Sequence, residues 1–370
     1  MEIEKNYSIL KACRFCPMCK HLCSSGNLTM HESDYPRGRG LIMYRIYRDE
    51  DFNSDYINSL YNCFMCGCCL AGCEGNFDLP ELIKSARADI VVKKLEPDVI
   101  KNLKNNLIEK ENIYGLDFED SFTFKNENLS TPGSDIVYIA GHSVNYKHFE
   151  IAQAALDFFI KAGTKFSLIP KEPDCGKALS LLGYMNEAKE SSSKFAKKIN
   201  SMKVKKLVTS DPMVLDCILN DFKTSGVEID SGVEIMHFSE FADSISKNPA
   251  ITFKKYNKKI TVADSEFLCK KNNRCENVRN LIKKIAPGSF IELFRNKKEA
   301  YGTGEAAFYQ NGSLFDSGKE LVKKISDDAA ILGVKTIVTL SGTAKENLSA
   351  AAKQDIEVID ISEFLMKNLQ

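Results

Sequence analysis

Two stretches of the chain repeat the spacing Cys-x2-Cys-x2-Cys-x3-Cys. The first is Cys13-Arg14-Phe15-Cys16-Pro17-Met18-Cys19-Lys20-His21-Leu22-Cys23, and the second is Cys63-Phe64-Met65-Cys66-Gly67-Cys68-Cys69-Leu70-Ala71-Gly72-Cys73. A cubane iron–sulfur cluster needs four thiolates around one compact object. Three come from a tight loop at x2 spacing, and the fourth, three residues on, reaches the neighbouring cluster. By that logic Cys13, Cys16, Cys19 and Cys73 hold one 4Fe–4S cluster, and Cys63, Cys66, Cys69 and Cys23 hold the other. A zinc site pairs two Cys-x2-Cys hooks across a longer spacer, so a third cysteine at x2 spacing would be surplus. Cys68 is extra: only Cys69 keeps the spacing, so Cys68 reads as an adjacent free thiol. The proline that commonly follows the fourth cysteine is replaced by Ser24 and Glu74, which loosens the likeness to small two-cluster ferredoxins but leaves the ligands complete.

The rest of the composition supports metal over disulfides. Nine of thirteen cysteines crowd between Cys13 and Cys73. The opening MEIEKNYSILKACRFC lacks the basic-then-apolar pattern of a secretory signal, so a disulfide framework has no route to form. No uninterrupted apolar stretch approaches the ~20 residues that span a bilayer, and the expected location is cytoplasmic, with docking on a membrane complex still open. Fifty Lys plus Arg balance fifty Asp plus Glu, which argues against a nucleic-acid partner. The basic run Lys254, Lys255, Lys258 and Lys259, interleaved with Phe253 and Tyr256, reads as the solvated side of a strand or helix edge.

The elements that must position these groups fall into three regions of a 370-residue chain. Residues 1–128 are mostly helical in pattern. A turn, Tyr35-Pro36-Arg37-Gly38-Arg39-Gly40, leads into a short helix carrying Leu41, Ile42, Ile46 and Tyr47. Leu82, Ile83, Ala86 and Ile90 form a second stripe, and Pro97 opens a third with Val99, Ile100, Leu103 and Leu107. Lys125 to Ser134 is polar and reads as a linker. Beyond it strands alternate with helices: Ile136 to Ala140, then a helix Phe149 to Ala162, then a strand Phe166 to Ile169, which is βαβ logic and implies a parallel sheet. The second half repeats the first. Leu207-Val208-Thr209 returns as Ile337-Val338-Thr339, Val233 to Phe241 returns as Ile356 to Phe364, and Ile136 to Ala140 returns at Ile260 to Ala263, with offsets near 125 residues. The expected fold class is therefore α/β with an N-terminal all-α domain, followed by a duplicated βαβ module with parallel sheets, over 133–248 and 251–370.

With Tyr35-Pro36-Arg37-Gly38-Arg39 lying between the runs, the first region resembles the helical two-cluster ferredoxin domain of the glycolate oxidase iron–sulfur subunit and heterodisulfide reductase-related proteins. Arg37 and Arg39 then either stabilise reduced clusters, meet a partner, or simply surface a turn. The resemblance implies that the two later regions are cysteine-rich modules named for a Cys-Cys-Gly motif, each supplying five cysteines to a further metal centre. Here Glu172-Pro173-Asp174-Cys175-Gly176 resembles that motif, with Asp174 in place of its first cysteine. His142 stands where the opening cysteine is expected, and Asp211 and Val214 stand for the later pair, of which Pro212 remains. In the second copy Glu266, Ala300, Tyr301, Ser341 and Ala344 take the cysteine positions, while Gly302 and Gly304 keep the glycine-rich character. Cys269 and Cys275 lie off the pattern and read as ordinary thiols.

One thiolate and scattered oxygens do not hold a multi-iron centre. His142, Asp174, Cys175 and Asp211 are acceptable ligands for a single divalent metal, the alternative being a decayed site closed by hydrogen bonds. The expected function is an electron-transfer subunit of an oxidoreductase complex. Its two 4Fe–4S clusters would take electrons from a flavoprotein dehydrogenase partner carrying FAD and acting on a 2-hydroxy acid such as glycolate or lactate. They would pass them to a downstream acceptor, which includes a further electron-transfer subunit. FAD would sit on the partner, since Gly302-x-Gly304 lacks the third glycine of a dinucleotide loop. The alternatives are a heterodisulfide-reductase-like enzyme with its own metal site between the two modules, and a zinc-based binding module without redox chemistry.

Overall fold

The structure, a computed structural model, describes residues 1–310 and 317–370. Three helices organise the N-terminal region: Pro36–Tyr47, Leu79–Val92 and Asp98–Lys110. The expected turn before the first of them is itself helical. Pro36 starts the helix at a position where its missing N–H costs nothing. Gly38 is needed for close approach, because a Cβ there would collide with the Glu32 carbonyl oxygen. Leu82, Ile83, Ala86 and Ile90 are fully buried, as their helical spacing requires. Pro97 caps the third helix, which buries Ile100 and Leu107.

Arg87, on the Leu79–Val92 helix, is buried and joins this helical region to the first α/β module. Its guanidinium donates to the carbonyls of Leu60 at 3.1 Å, Tyr61 at 3.3 Å, Cys63 at 2.9 Å and Leu181 at 2.8 Å. Gly183, at φ 104, lets the chain after Leu182 back onto the same helix; a Cβ would lie 2.6 Å from the Arg87 carbonyl carbon.

Six strands form two three-stranded parallel sheets. In the first, β1 (Ile136–Ile139), β2 (Lys206–Thr209) and β3 (Glu234–His237) lie in that order. In the second, β4 (Ile260–Val262), β5 (Thr336–Thr339) and β6 (Glu357–Asp360) repeat it. The register repeats as well: Leu207 pairs with Val137 and Ile235, as Ile337 pairs with Thr261 and Val358. The expected strand Phe166 to Ile169 shrinks to one parallel bridge between Ser167 and Val137, because Pro170 cuts the ladder short. Its counterpart is a bridge between Phe290 and Ile260. The expected linker is anchored rather than loose: it contains the short turn Glu127–Leu129, and Thr131 donates to the Phe166 carbonyl at 2.7 Å. Lys254, Lys255, Lys258 and Lys259 are all exposed, outside any strand or helix.

The two halves pack reciprocally. The helix after the first strand of one half meets the last helix of the other: Phe149–Lys161 lies on Ile361–Asn368, and Glu276–Ile285 lies on Phe238–Ile245. One apolar cluster therefore runs through both sheets, including Tyr138, Val208, Val262 and Val338. Burial pulls His237 down to about 4, so the ring is neutral. Its Nδ1 accepts from the Ser239 N–H at 3.2 Å, which leaves Nε2–H to donate across the halves to the Leu340 carbonyl at 3.0 Å. Among the described residues no helix is long and apolar enough to cross a membrane.

Phe159 sits in this shared core, its ring centroid 4.6 Å from that of Phe241, 5.3 Å from Phe166, 5.9 Å from Tyr138 and 6.2 Å from Phe238. Phe159→Ala is expected to cost about 3–5 kcal/mol, the range for truncating a buried aromatic ring. Because both halves share the cluster, calorimetry should show the sheets melting in one transition at a lower Tm, not in two.

Candidate metal centre

Both cysteine runs share a local geometry that their sequences share only in part. The residue before the second cysteine is left-handed in each, Phe15 at φ 53 and Met65 at φ 50. Such a conformation costs a non-glycine residue roughly 1–2 kcal/mol, and here it turns an N–H back onto sulfur. Phe15 N–H donates to Cys13 Sγ and Met65 N–H to Cys63 Sγ, both at 3.4 Å. The fourth cysteines are treated alike: Gly26 N–H reaches Cys23 Sγ at 3.3 Å and Phe77 N–H reaches Cys73 Sγ at 3.4 Å. Amide donors aimed at sulfur stabilise thiolates and the negative charge of a group they hold.

Cys13, Cys16, Cys19 and Cys73 line one hollow of about 220 Å³. Cys23, Cys63, Cys66 and Cys69 line a second, tighter one of about 20 Å³. Cys69 touches both, so the hollows adjoin. Small residues keep the walls thin: a Cβ on Gly72 would come 2.5 Å from Leu22 Cδ1, and one on Gly75 would come 2.6 Å from the Ala12 carbonyl oxygen. All thirteen cysteines are free thiols. Burial pushes Cys69 well above the ordinary thiol range and Cys19 up to about 11. Without a metal these thiols stay protonated, and metal binding is what would deprotonate them. Four soft sulfur donors around each hollow fit a cubane cluster.

The two arginines of the Tyr35–Arg39 segment separate. Arg39 is fully buried and donates to Ser59 O at 2.8 Å, to Ser25 Oγ at 3.0 Å and to the Asp34 carbonyl. Ser25 Oγ in turn lies 3.6 Å from Cys23 Sγ. Arg37 is turned outward to Glu32 at 2.5 Å. Cys68 lines neither hollow, though its thiol meets that of Cys66 on the wall of the second. Its Sγ donates to the Ala300 carbonyl at 3.4 Å and accepts from Lys270 Nζ at 2.9 Å.

His142, Asp174, Cys175 and Asp211 do come together around one small cavity of about 30 Å³, with Glu172 beside them. His142 Nε2 lies 3.3 Å from Asp174 Oδ1. Their remaining bonds lead elsewhere. Asp211 caps the next helix, accepting from Met213 N–H at 2.8 Å, and Cys175 belongs to an apolar cluster. Among the described residues the only three potential ligands with donor atoms within 4.8 Å of one another are Asp264, Cys269 and Cys275. There Arg279 already engages both Asp264 oxygens, at 2.8 Å each, and so occupies a cation's place.

The second half repeats this arrangement with oxygen. Glu266 opens a helical turn as His142 does, and Ser341 caps a helix as Asp211 does. The paired positions differ from the sequence expectation. Gly176 at φ 90 and Gly304 at φ 80 each precede a short helix, Lys177–Leu182 and Glu305–Gln310, so Gly302 and Thr303 match Asp174 and Cys175, in place of Ala300 and Tyr301. The shift by two arises because unequal loops precede the two glycines. Sequence reasoning also missed Glu305, which accepts from Ser265 Oγ at 2.7 Å, Glu266 N–H at 2.9 Å and Ser341 Oγ at 2.8 Å. Burial first, then the neighbouring Glu266, raises its carboxyl to about 8. Burial raises Glu172 to about 7 despite two backbone N–H donors. Each half thus holds a buried, hydrogen-bonded acid at this place.

No protein-family model matches the chain. Two curated relatives are dihydromethanophenazine:CoB–CoM heterodisulfide reductase subunits D. That of Methanosarcina acetivorans is 24% identical over 327 residues, covering 84% of this chain and 77% of the relative. That of Methanosarcina mazei is 25% identical over 259 residues, covering 67% of this chain and 61% of the relative. The likeness supports the heterodisulfide reductase-related group and does not extend to glycolate oxidase. Among solved structures, aspartate racemase from Picrophilus torridus aligns with a TM-score of 0.31 at 9% identity, over 62% of this chain and 89% of its own. An aspartate racemase homologue from Pyrococcus horikoshii aligns with a TM-score of 0.26 at 13% identity, over 63% and 95%. Likeness this distant carries no argument.

The acid at Glu305 sets a pH dependence of stability. Its folded pKa of about 8 lies above the ordinary 4.5, so the folded state keeps a proton the unfolded state loses between those values. Stability from this group is full below the ordinary value and falls as pH rises towards about 8. In Glu305→Gln the amide can donate to Ser341 Oγ and its oxygen can accept from Ser265 and Glu266. Thermal melts should show variant and wild type matching near pH ~4, with the variant the more stable near pH ~8.5. Parallel curves across that range would show that Glu305 ionises freely.

Proposed function

We propose that the chain is an iron–sulfur electron-transfer subunit of an oxidoreductase complex, holding two 4Fe–4S clusters on the eight cysteines of its two runs. The observation that carries this reading is the pair of adjoining hollows, each lined by three thiols of one run and the fourth of the other. The heterodisulfide reductase D subunits support an oxidoreductase-related role. Each cluster, when bound, supplies a one-electron couple. The chain's own part is to hold the sulfurs, aim the N–H groups of Phe15, Met65, Gly26 and Phe77 at them, and screen the second hollow from water. Cys16 is exposed on the first hollow, which gives a partner a way to approach it. The partner we propose is a flavoprotein dehydrogenase carrying FAD, oxidising a 2-hydroxy acid such as glycolate or lactate and delivering electrons singly.

The names of the relatives favour a second reading, a reductase with its own additional centre. It needs ligands that converge in the modules, and the carboxylates of Glu172, Glu266 and Glu305 are instead engaged by backbone N–H and hydroxyl groups.

Anaerobically purified protein should be brown, bleach on dithionite, and carry about eight iron atoms per chain, two cubanes in all. Cys23→Ser and Cys73→Ser should each remove one cluster's EPR signal and spare the other. Colourless, iron-free protein, or zinc in place of iron, would end this reading; markedly more iron would favour the reductase.

A further inference from the structure

Two hollows of matching sulfur count sit in unlike electrostatic surroundings. The first opens to solvent. Cys16 and Met18 are exposed on it; Arg14 donates to the Lys11 carbonyl, and Arg37, half-exposed, is paired with Glu32 and reaches the Phe15 carbonyl only at 3.5 Å, where water screens its charge. The second is enclosed by three cations from three parts of the chain. Arg39 lies behind Cys23 through Ser25, and Arg87 donates to the Cys63 carbonyl at 2.9 Å. Lys270, from the second module, reaches the Cys66 carbonyl at 3.3 Å and Cys68 Sγ at 2.9 Å. Cys68 Sγ also lies 3.4 Å from the Ala300 carbonyl oxygen. Two acids lie close by: Asp34 is ion-paired with Arg39 at 3.4 Å, and the oxygens of Glu266 accept from the N–H groups of Gly304 at 2.9 Å and Ala306 at 3.1 Å. Room for this approach is built in. Gly302 lies so close to Cys66 that a Cβ would come 2.8 Å from Cys66 Cβ, and a Cβ on Gly67 would touch the Lys270 stem, 4.0 Å from its Cδ.

Adding an electron to a buried cluster adds negative charge where water cannot solvate it, which lowers its potential. A cation held against the ligand loop acts in the opposite sense, and more strongly for being shielded from solvent. Building on the two-cluster reading, we propose that Lys270 raises the potential of the cluster at the second hollow, making it the place where electrons come to rest, while the cluster at the first hollow is the exchange port at the surface. Lys270 is then a positioning residue for charge. The second module, stripped of its own thiol ligands, keeps a part in electron transfer by supplying it.

The test is an EPR-monitored redox titration of the anaerobic, cluster-loaded chain. The second cluster's signal is identified as the one lost in Cys23→Ser. Lys270→Met should leave that cluster at least about tenfold less reduced at a fixed potential, a fall of about 59 mV for a one-electron couple. The other cluster should not move, and Lys270→Arg should restore the wild-type value. If Lys270→Met loses iron, Lys270→Gln, which keeps an N–H donor for the Cys66 carbonyl but no charge, serves as the same comparison. Fully loaded charge-removing variants with unshifted potentials, or a shift confined to the first cluster, would overturn the inference and leave the two-cluster reading intact. Wild-type protein with no cluster signals would remove both.

Discussion

A buried guanidinium has five N–H groups to satisfy and no acceptor of its own. Arg87 meets that demand chiefly with carbonyls, taking Leu60, Tyr61 and Cys63 from the chain entering the second cysteine run and Leu181 from the first module, and adds the Met65 sulfur at 3.0 Å. The consequence is geometric. Carbonyls drawn towards Arg87 fix the backbone of that entry segment, and the next residues can then turn left-handed at Met65 and direct N–H groups and thiols to the other side. Net hydrogen-bond energies are small, but leaving several buried carbonyls unpaired is not. The packing of helical region, cysteine loop and first module therefore converges on one side chain.

The duplicated modules show which parts of an inherited fold carry chemistry and which carry shape. Strand order, register and reciprocal helix packing recur in both. The side chains at the strand ends do not recur: His142 answers to Glu266, Asp211 to Ser341, Cys175 to Thr303. Both halves place there an acid whose oxygens accept backbone N–H groups, Glu172 in the first and Glu266 with Glu305 in the second. Buried polar groups that keep their partners can persist without a metal.

Much of this arrangement could be read before any coordinates. Cysteine spacing is local, and so is the loop geometry it reports. The Leu82 to Ile90 stripe and the strand at Ile136 are local too, which is why the first falls inside the helix Leu79–Val92 and the second runs one residue past the observed strand end at Ile139. The repeat was legible because parallel strands buried on both faces are apolar runs, and two such runs in matching order are hard to mistake. Long-range partners left no trace. Lys270 meets Cys66 across 204 positions and Arg87 meets Leu181 across 94, with no periodicity to announce either. The Tyr35–Gly40 segment looked like a turn because glycine usually marks one, whereas here Gly38 makes room for the Glu32 carbonyl within a helix. In the second module the paired positions were displaced by two because sequence alone does not reveal which glycine adopts a positive φ.

The core that runs through both sheets has a bearing on how such a chain can change over generations. His142, Asp211, Glu266 and Ser341 lie at the strand ends, where a substitution disturbs little beyond its own contacts. The interlocked helices allow no such freedom, since each half supplies a wall that the other would otherwise expose to water. The loops at the strand ends can therefore drift while the volume of each half stays under selection, which makes deletion of a half far costlier than any change in its loops.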